Sequence, residues 1–261
     1  MLLAIDIGNS NISIGVFKKA TLTHSWRITS DLLKETDEYT ALLRQIIGAN
    51  SFLPKSKDSH IIMCSVVPPL TSIVSQAIFN LFNLYPILIG KDIHPKLVIN
   101  YDLPTDVGSD RIVNAIACNA MYRNEKECSI IVDMGTATVF DAIDHQGAYM
   151  GGAIAPGLIL GSNALFSKTS QLKRVELNAP SHVIGQDTVE SIQSGLIFGH
   201  ISLIEGMVAK FKGELGGKSK IIGTGGLINL ILPGTSIFDI VAPNLAMDGL
   251  RISYETHRNQ H

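Results

Sequence analysis

The chain contains little cysteine, and its cysteines form no recognisable pattern. Of 261 residues only Cys64, Cys118 and Cys128 are cysteine, and their spacing fits neither a zinc motif nor a disulfide framework. The eight histidines likewise show no H-E-x-x-H motif or other metal-ligand spacing. Because unpaired thiols are typical of reducing compartments, we expect buried, reduced cysteines in a cytoplasmic protein.

The chain also lacks a strong charge and an uninterrupted hydrophobic span. Its formal net charge is −2 and no Lys/Arg-rich segment occurs, which argues against nucleic acid as the main partner. The N-terminus shows no charged region or cleavage site, so we expect no secretory signal. Residues 145–167 contain no Asp, Glu, Lys or Arg, but glycines and Pro156 interrupt them, so we expect loops around a ligand and no membrane span.

The most informative pattern present is an acidic residue and a glycine between two apolar runs, at residues 130–141. Asp133 ends the first run, and Gly135 lets the backbone turn sharply and a ligand approach its N–H groups. Thr136 and Thr138 add hydroxyls that can point at the same ligand. We call residues 133–138 the second acidic turn, and we interpret it as a phosphate cradle between two strands.

The same order of acid, apolar residue, glycine and polar residues occurs near the start of the chain. Residues 6–11, the first acidic turn, read D-I-G-N-S-N and precede the second turn by 127 positions (133 minus 6). Each turn lies in a predicted three-strand meander, which indicates a duplicated α/β unit. Two facing turns could then hold the two ends of one polyphosphate.

A third feature is the polar start of a predicted helix at residues 109–111. Ser109 or Asp110 can cap free N–H groups there, which is the simple structural explanation of the acid. Arg111 is unusual, because a cation at a helix N-terminus opposes the helix dipole. It therefore suggests an anionic partner.

Glycines also mark two later segments. Residues 223–226, G-T-G-G, follow a predicted strand and leave room for a flat ring or a ribose against the backbone. The predicted long helix at residues 188–211 contains Gly195, Gly199 and Gly206. Glycines on such a helix favour close helix contact, and a subunit interface is one interpretation.

These motifs together resemble the type III pantothenate kinase family. They are, in order, D-I-G-N-S-N (6–11), G-S-D-R-I-V-N (108–114), D-M-G-T-A-T (133–138), G-G-A-I-A-P-G (151–157) and G-T-G-G (223–226). The likeness spans nearly the whole chain, and the joint occurrence is far more specific than any single motif. One departure is Ser10, where the family usually has threonine; the hydroxyl is kept, so we expect ATP binding to be retained.

The resemblance implies the actin-like ATPase fold of the acetate kinase, sugar kinase, Hsp70 and actin superfamily. This is an α/β architecture of duplicated ribonuclease H-like domains, each a mixed sheet with flanking helices. We expect an N-terminal half at 1–115, with the phosphate-1 motif and the substrate loop. A C-terminal half at 116–261 would hold the phosphate-2 and adenosine motifs and a helix of the dimer interface.

The implied activity is transfer of the γ-phosphoryl group of ATP to the 4′-hydroxyl of pantothenate, the first step of coenzyme A biosynthesis. The family uses ATP, Mg²⁺ and a monovalent cation, K⁺ or NH₄⁺, and works as a homodimer with the pantothenate site near the subunit boundary. A carboxylate about 4 Å from a phosphate charge is repelled by roughly 4 kcal/mol at an effective dielectric of about 20. A bridging Mg²⁺ is therefore expected at Asp6.

The resemblance also assigns individual roles. The expected ATP contacts are Asp6, Ile7, Gly8, Asn9, Ser10, Asn11, Ile12, Ser13 and Thr136. The expected pantothenate contacts are Tyr101, Gly108, Ser109, Asp110, Arg111 and Thr188. Asp110 would be the general base, Asp133 would hold K⁺, and Asp6 would hold Mg²⁺.

Two alternatives remain open from the sequence. One is a kinase of the same superfamily that acts on another small hydroxylated substrate, such as a sugar. The other is a non-catalytic regulatory relative. The presence of Asp6, Asp110, Arg111, Asp133 and Thr136 argues against a degenerate site, and the absence of a basic segment argues against direct DNA contact.

Overall fold

The computed structural model of the chain describes residues 1–48, 60–94, 96–168 and 175–259. The first part of the chain forms the predicted β-β-β-α-β-α-β order. Its elements are β1 Leu2–Ile7, β2 Asn11–Lys18, β3 Thr21–Thr29, α1 Thr36–Gly48, β4 His60–Ser65, α2 Pro68–Phe82 and β5 Ile87–Leu88, followed by α3 Ser109–Tyr122.

The second part opens with another three-strand meander, as predicted. Its elements are β6 Cys128–Met134, β7 Ala137–Ile143, β8 Tyr149–Pro156, α4 Leu158–Lys168, α5 Thr188–Leu215, β9 Ser219–Thr224, β10 Ile240–Val241 and α6 Leu245–Arg258. The short helix expected after the late glycine turn consists of two 3-10 turns, Ile228–Leu230 and Leu232–Gly234.

The two sheets have the same topology, which confirms the predicted duplication. One sheet has the order β3-β2-β1-β4-β5 and the other, read from its far edge, β8-β7-β6-β9-β10. In each, three antiparallel strands form the meander and the last two strands run parallel to its first strand. This mixed five-stranded sheet with flanking helices is the ribonuclease H-like architecture.

Side chains alternate between the two faces of β1, because successive residues of a strand point to opposite sides. Leu3, Ile5 and Ile7 pack in the cluster that contains buried residues of α1 and α2. Leu2 and Ala4 pack in a second cluster, with buried residues of β4, α3 and α6. Asp6 continues the Leu2–Ala4 series and therefore belongs to the α3 side of the sheet.

The same rule organises β6. Ile130, Val132 and Met134 pack in a cluster with α5 residues that recur at helical spacing, among them Ile197 and Ile201. Asp133, one residue out of phase with this series, lies on the other face of the sheet. Each sheet thus carries an acid near the end of its central strand. In the first sheet this acid lies on the face away from α1 and α2, and in the second sheet on the face away from α5.

The chain divides into two compact units whose boundaries differ from the single division expected at 115/116. The first unit comprises Met1–Leu97, Leu103–Ala120 and Leu245–His261, and the second Val98–Asp102 and Met121–Asn244. The difference arises because the apolar face of α6, including Leu250, packs in the first unit's core. The last helix therefore completes the unit that the first strand begins.

Helix α5 begins and ends with capping groups that the sequence encodes. The Asp187 carboxylate accepts a hydrogen bond from the Glu190 N–H, and Gly216 closes the helix in the left-handed conformation (φ 68°). Among the described residues, α5 is long and apolar enough to cross a membrane by length and composition alone. A helix that covers a domain core passes the same test, and one face of α5 packs on the second sheet.

Gly249 of α6 provides a test of this packing. A Cβ atom at this position would collide with the Val113 carbonyl of α3 and lie 2.6 Å from its carbonyl carbon. We expect Gly249→Ala to lower the free energy of unfolding by about 1–3 kcal/mol, because overpacking forces the two helices apart.

Chemical denaturation would measure this change, with Gly213→Ala as the matched control. Gly213 also lies within a helix, and no atom of a neighbouring element lies within 4 Å of the position that its Cβ would occupy. Because alanine has a higher helix propensity than glycine, the control substitution is expected to raise the free energy of unfolding by about 0.5–1 kcal/mol. Equal effects of the two substitutions would contradict the described contact between α6 and α3.

Candidate active site

The first acidic turn is a tight connection between β1 and β2. The Gly8 N–H donates to the Asn11 carbonyl at 3.0 Å, and Asn9 and Ser10 are exposed at the tip. Ile7 and Ile12, both expected to line ATP, are buried in the core of the first unit. Any contact that these two residues make with a nucleotide would therefore come from backbone atoms.

Ser30, which sequence reasoning missed, holds both sides of this turn. Its hydroxyl donates to the Gly8 carbonyl at 2.6 Å, and its backbone N–H donates to the Ser10 carbonyl at 3.0 Å. Ser30 follows β3, so the third strand of the meander fixes the turn between the first two. No sequence pattern singled it out, because one serine after a strand is common.

Asp6 lies in a row of residues that crosses four strands of the first sheet. Its backbone partners are Ser13 on β2 and Cys64 on β4, and Ser13 in turn pairs with Arg27 on β3. The Cys64 thiol donates to Asp6 Oδ1 at 3.2 Å. The predicted burial of Cys64 is confirmed, but its contact with Asp6 depends on the parallel register of β1 and β4, which the sequence does not show.

The electrostatic surroundings of Asp6 disfavour its charge. Burial raises the pKa of Asp6 to about 6, although the Cys64 hydrogen bond lowers it. The negative charge of Asp110 raises this pKa further, and Arg27 lowers it. The structure thus brings Asp6 and Asp110, two predicted site residues, close enough in the first unit to repel each other.

The start of α3 is fastened to the end of β4. The Ser109 hydroxyl donates to the Ser65 carbonyl at 2.9 Å and accepts from the Ser65 N–H at 3.1 Å. The absence of a side chain at Gly108 leaves room for the Asp110 carboxylate, since a Cβ atom at position 108 would lie 2.5 Å from Asp110 Oδ1. A side chain at position 108 would therefore displace the carboxylate that follows.

Asp110 combines a structural contact with the properties of a proton acceptor. Its Oδ1 accepts the backbone N–H of Arg111 at 2.7 Å, so the capping interpretation is partly right. Burial nevertheless raises the pKa of Asp110 above its usual value, against the opposing effects of this hydrogen bond and of the Arg111 charge. A partly desolvated carboxylate of this kind is a stronger base than an exposed one.

The second acidic turn is braced by two glycines of the second unit. The Gly135 N–H donates to the Ala137 carbonyl at 3.0 Å. A Cβ atom at Gly157 would collide with the Thr136 carbonyl, and one at Gly225 (φ 94°) would lie 2.5 Å from both Asp133 Oδ1 and the Met134 carbonyl. The two late glycine motifs therefore pack directly against the turn.

Thr138 does not present its hydroxyl to a ligand, contrary to the expectation from the sequence. Its side chain is only 1% exposed, and Oγ1 lies 2.8 Å from His200 Nε2 of α5. The physical reason is strand phase: Thr138 pairs with Met134 and precedes Phe140 on the face of the sheet that α5 covers. Thr136, within the turn, is half-buried.

The remaining predicted residues, Tyr101 and Thr188, lie on separate elements of the second unit. The backbone of residues 98–100 pairs with Tyr149 at the edge of β8, and the Tyr101 ring lies 3.3 Å from the position that a Cβ of Gly151 (φ 106°) would occupy. Thr188 is the exposed first residue of α5 and lines a groove of about 540 Å³ with Leu165 and Gly195.

The residues present fit a magnesium ion held mainly by phosphate oxygens. Among the described residues, no group of three or more His, Cys, Asp or Glu side chains could hold a metal without help. Mg²⁺ in phosphate-transfer sites is usually bound by one or two carboxylates together with substrate oxygens and water. The charge of Asp110 raises the pKa of Asp6, and a cation bound beside both carboxylates would relieve this repulsion.

Solved structures define the fold class. A Campylobacter jejuni protein provisionally described as a Baf family transcriptional activator aligns with a TM-score of 0.60 and 20% identity, covering 98% of this chain and 99% of that one. MreB5 of Spiroplasma citri bound to ADP gives 0.54 at 12% identity (99% and 97%), and the ROK hexokinase of Thermus thermophilus gives 0.52 at 10% (98% and 99%). The fold is that of the actin-like ATPases and sugar kinases.

Sequence comparison narrows this class to a family. A family model described as type III pantothenate kinase matches residues 2–210. Type III pantothenate kinases from Dehalococcoides mccartyi and Moorella thermoacetica are each 42% identical, over 257 and 255 residues; these alignments cover 98% of this chain and 98% and 99% of the relatives. The chain belongs to the type III pantothenate kinase family.

The raised pKa of Asp6 predicts a pH-dependent gain in stability when the charge is removed. In the folded chain ionisation of Asp6 is opposed by burial, so its destabilising effect becomes complete well above pH 6 and disappears below its ordinary pKa of 3.8. We expect Asp6→Asn to raise the free energy of unfolding by roughly 2–3 kcal/mol at pH 8, and by progressively less as the pH falls to 4.

Denaturation curves without Mg²⁺ or nucleotide at several pH values would measure this effect. The control is Glu125→Gln, since the side chain of Glu125 is 86% exposed and makes only a long ion pair with Arg123. This control is expected to change stability by less than about 0.5 kcal/mol at every pH. A pH-independent effect of Asp6→Asn would show that burial does not shift this carboxylate.

Proposed function

We propose that the chain is a pantothenate kinase that transfers the γ-phosphoryl group of ATP to the 4′-hydroxyl of pantothenate. The family relationship supports the substrates, and the product is the first intermediate of coenzyme A biosynthesis. The observation that best supports the proposed catalytic role is that Asp110 lies near Asp6 on one side of the first sheet. Asp6 would face the cation of the nucleotide, and Asp110 would face the alcohol.

In this proposal Asp110 is the general base. As the 4′-oxygen attacks the γ-phosphorus, its proton passes to the Asp110 carboxylate, the new P–O bond forms, and the bond from the γ-phosphorus to the β-phosphate oxygen breaks to release ADP. The Arg111 N–H holds Oδ1, so we assign the proton to Oδ2. Gly108, Ser109, Arg111, Tyr101 and Thr188 would contact pantothenate.

The nucleotide would be held by the backbone and polar side chains of the first acidic turn and the start of β2, residues 6–13, and by Thr136. Mg²⁺, when bound beside Asp6, would neutralise charge that develops on the phosphate oxygens. Ser30 would keep the Gly8 and Ser10 carbonyls in place, so that the turn's remaining polar groups face the phosphates. Preorganised groups of this kind act without reorganisation during the reaction.

We also propose that Asp133 helps to hold a monovalent cation, K⁺ or NH₄⁺. Its Oδ1, the Met134 carbonyl oxygen and the Met134 backbone nitrogen each lie 2.5 Å from the position that a Cβ of Gly225 would occupy, so two oxygen donors lie close together there. Carboxylate and carbonyl oxygens are hard donors that suit an alkali cation. The second acidic turn would then supply a positive charge near the phosphates through the ion that it binds.

A homodimer in the cytoplasm is part of the proposal. The surface formed by the end of α4, the start of α5 and residues 183–184 exposes large apolar side chains: Leu165, Phe166, Val183, Ile184 and Val189. At Gly195, Gly199 and Gly206 of α5, a Cβ atom would meet no atom of a neighbouring described element within 4 Å, so contacts with the part of the chain that the structure describes do not explain these glycines. A second copy would cover this surface, and Thr188 begins α5 within it.

The direct test is incubation of the purified chain with ATP, Mg²⁺, K⁺ and pantothenate. Mass spectrometry should detect 4′-phosphopantothenate together with an equal amount of ADP. A panel of sugars under the same conditions should give no phosphorylated product. Phosphorylation of a sugar and not of pantothenate, or of neither, would contradict the proposal.

Asp110→Asn tests the general base. We expect nucleotide affinity to be retained and kcat to fall by about 10²-fold or more, because the amide keeps the Arg111 contact but cannot accept the proton. Steady-state kinetics and ADP titration would measure both values. Asp106→Asn, which alters an exposed acid four residues earlier, is the control and should be near wild type. A near-normal kcat for Asp110→Asn would leave Asp110 with only its capping role.

The monovalent cation is tested by the choice of salt. We expect higher rates in K⁺ or NH₄⁺ than in Na⁺ at equal ionic strength, and we expect Asp133→Asn to lose this preference because a charged ligand is removed. Glu214→Gln, at an exposed acid of α5, should keep the preference. Equal wild-type rates in the three salts would remove the assignment of Asp133.

A further inference from the structure

His200 is a buried titratable side chain that the proposed reaction does not use. It lies on the face of α5 that covers the second sheet, beside Ile197, Ile201 and Ile204, and is 8% exposed. Burial lowers its pKa, so the ring is neutral at pH 7 and can share a hydrogen bond without placing a charge in the core. Its Nε2 pairs with the Thr138 hydroxyl, 2.8 Å away.

This polar pair lies beside a cluster of buried apolar side chains. Leu158, Leu196 and Phe140 are among the buried members of that cluster. Two apolar side chains would fill the same space at no cost in desolvation, whereas a buried polar group costs free energy unless it is paired. A specific polar link at this position therefore needs a reason beyond stability, and buried polar pairs often serve to fix one geometry.

The geometry that this pair fixes is that of the second acidic turn. Thr138 is the second residue of β7 and pairs with Met134, so this pair closes residues 135–137 of the turn, and Asp133 immediately precedes it. Gly157 restrains the Thr136 carbonyl and Gly225 restrains Asp133, but both act through close packing. The His200 contact is a directional restraint on the strand that leaves the turn.

We propose that His200 is a positioning residue, which through Thr138 holds the second acidic turn in the conformation that receives ATP. The inference rests on the proposed nucleotide role of this turn and extends it to α5. His200 does not touch the nucleotide. Its loss should therefore weaken the binding of ATP and of ADP and leave pantothenate binding and the general base intact.

The test compares single variants with an apolar double variant. In Thr138→Val or His200→Leu one buried polar group loses its partner, so the melting temperature should fall by about 2 °C or more. In Thr138→Val/His200→Leu both polar groups are replaced, and the melting temperature should return to within about 2 °C of wild type. The double variant thus keeps the fold but lacks the directional link.

The expected result is that KM for ATP and the dissociation constant for ADP rise about 3- to 10-fold in the double variant, as for loss of one ordinary hydrogen bond. KM for pantothenate should change less than about twofold. His200→Gln, whose amide can still pair with Thr138, should recover part of the affinity. Ser202→Ala alters an exposed hydroxyl of the same helix and should match wild type.

Different results would contradict the positioning role of His200 and the proposed kinase function. A double variant that recovers both stability and ADP affinity would overturn the positioning role and leave His200 as a core residue. Folded single variants with unchanged ADP affinity would do the same. If wild type binds ADP but does not phosphorylate pantothenate, the proposed function fails, while ADP titration of the same variants still decides the role of His200.

Discussion

The alternation of side chains along two central strands is the constraint on which the rest of the structure depends. In β1 the phase that buries Ile5 and Ile7 under α1 and α2 necessarily sends Asp6 to the other side, where α3 begins. In β6 the phase that buries Val132 and Met134 under α5 turns Asp133 away. A slip of one residue would exchange acid and core, so packing energy itself specifies where each carboxylate emerges.

The acids of the first unit sit in surroundings that do not favour their charge. Burial raises the pKa values of Asp6 and Asp110, and the charge of Asp110 adds to the effect at Asp6. The hydrogen bond from the Cys64 thiol opposes the effect of burial at Asp6 but does not cancel it. Such groups lower the stability of the empty protein and gain from a bound cation. The surrounding restraints, such as the link between Ser109 and Ser65, keep the charged groups from relaxing into solvent.

Much of the fold could be predicted from the sequence, because the regular spacing of apolar residues and the presence of turn-forming residues are local signals. The paired acidic turns, the element order of each half and the helix that begins at Ser109 all follow from such patterns. The contact of Cys64 with Asp6 could not, since it depends on the register of two strands far apart in the chain. The direction of Thr138 could not either, because it depends on where β7 begins: once Thr138 is part of the strand, alternation places it on the same face as Phe140.

The division of the chain escaped prediction for a related reason. The apolar stripe of α6 marks a helix, but periodicity does not say which sheet the stripe covers. Only the packed structure shows that Leu250 joins Leu2 and Ala4. The roles of individual residues in binding ATP and pantothenate stay predictions. The structure does show that Asp110 lies close enough to Asp6 to raise its pKa.

The return of α6 to the first unit has a consequence for synthesis of the chain. Domains generally fold as units during translation, from the N-terminal one onward. Here β1 lacks part of its cover until α6 has left the ribosome, and residues of the second unit lie between these two elements, so the second unit can close before the first. The nascent chain therefore carries an unfinished apolar sheet face until α6 is made, and premature termination within α6 would leave that face open.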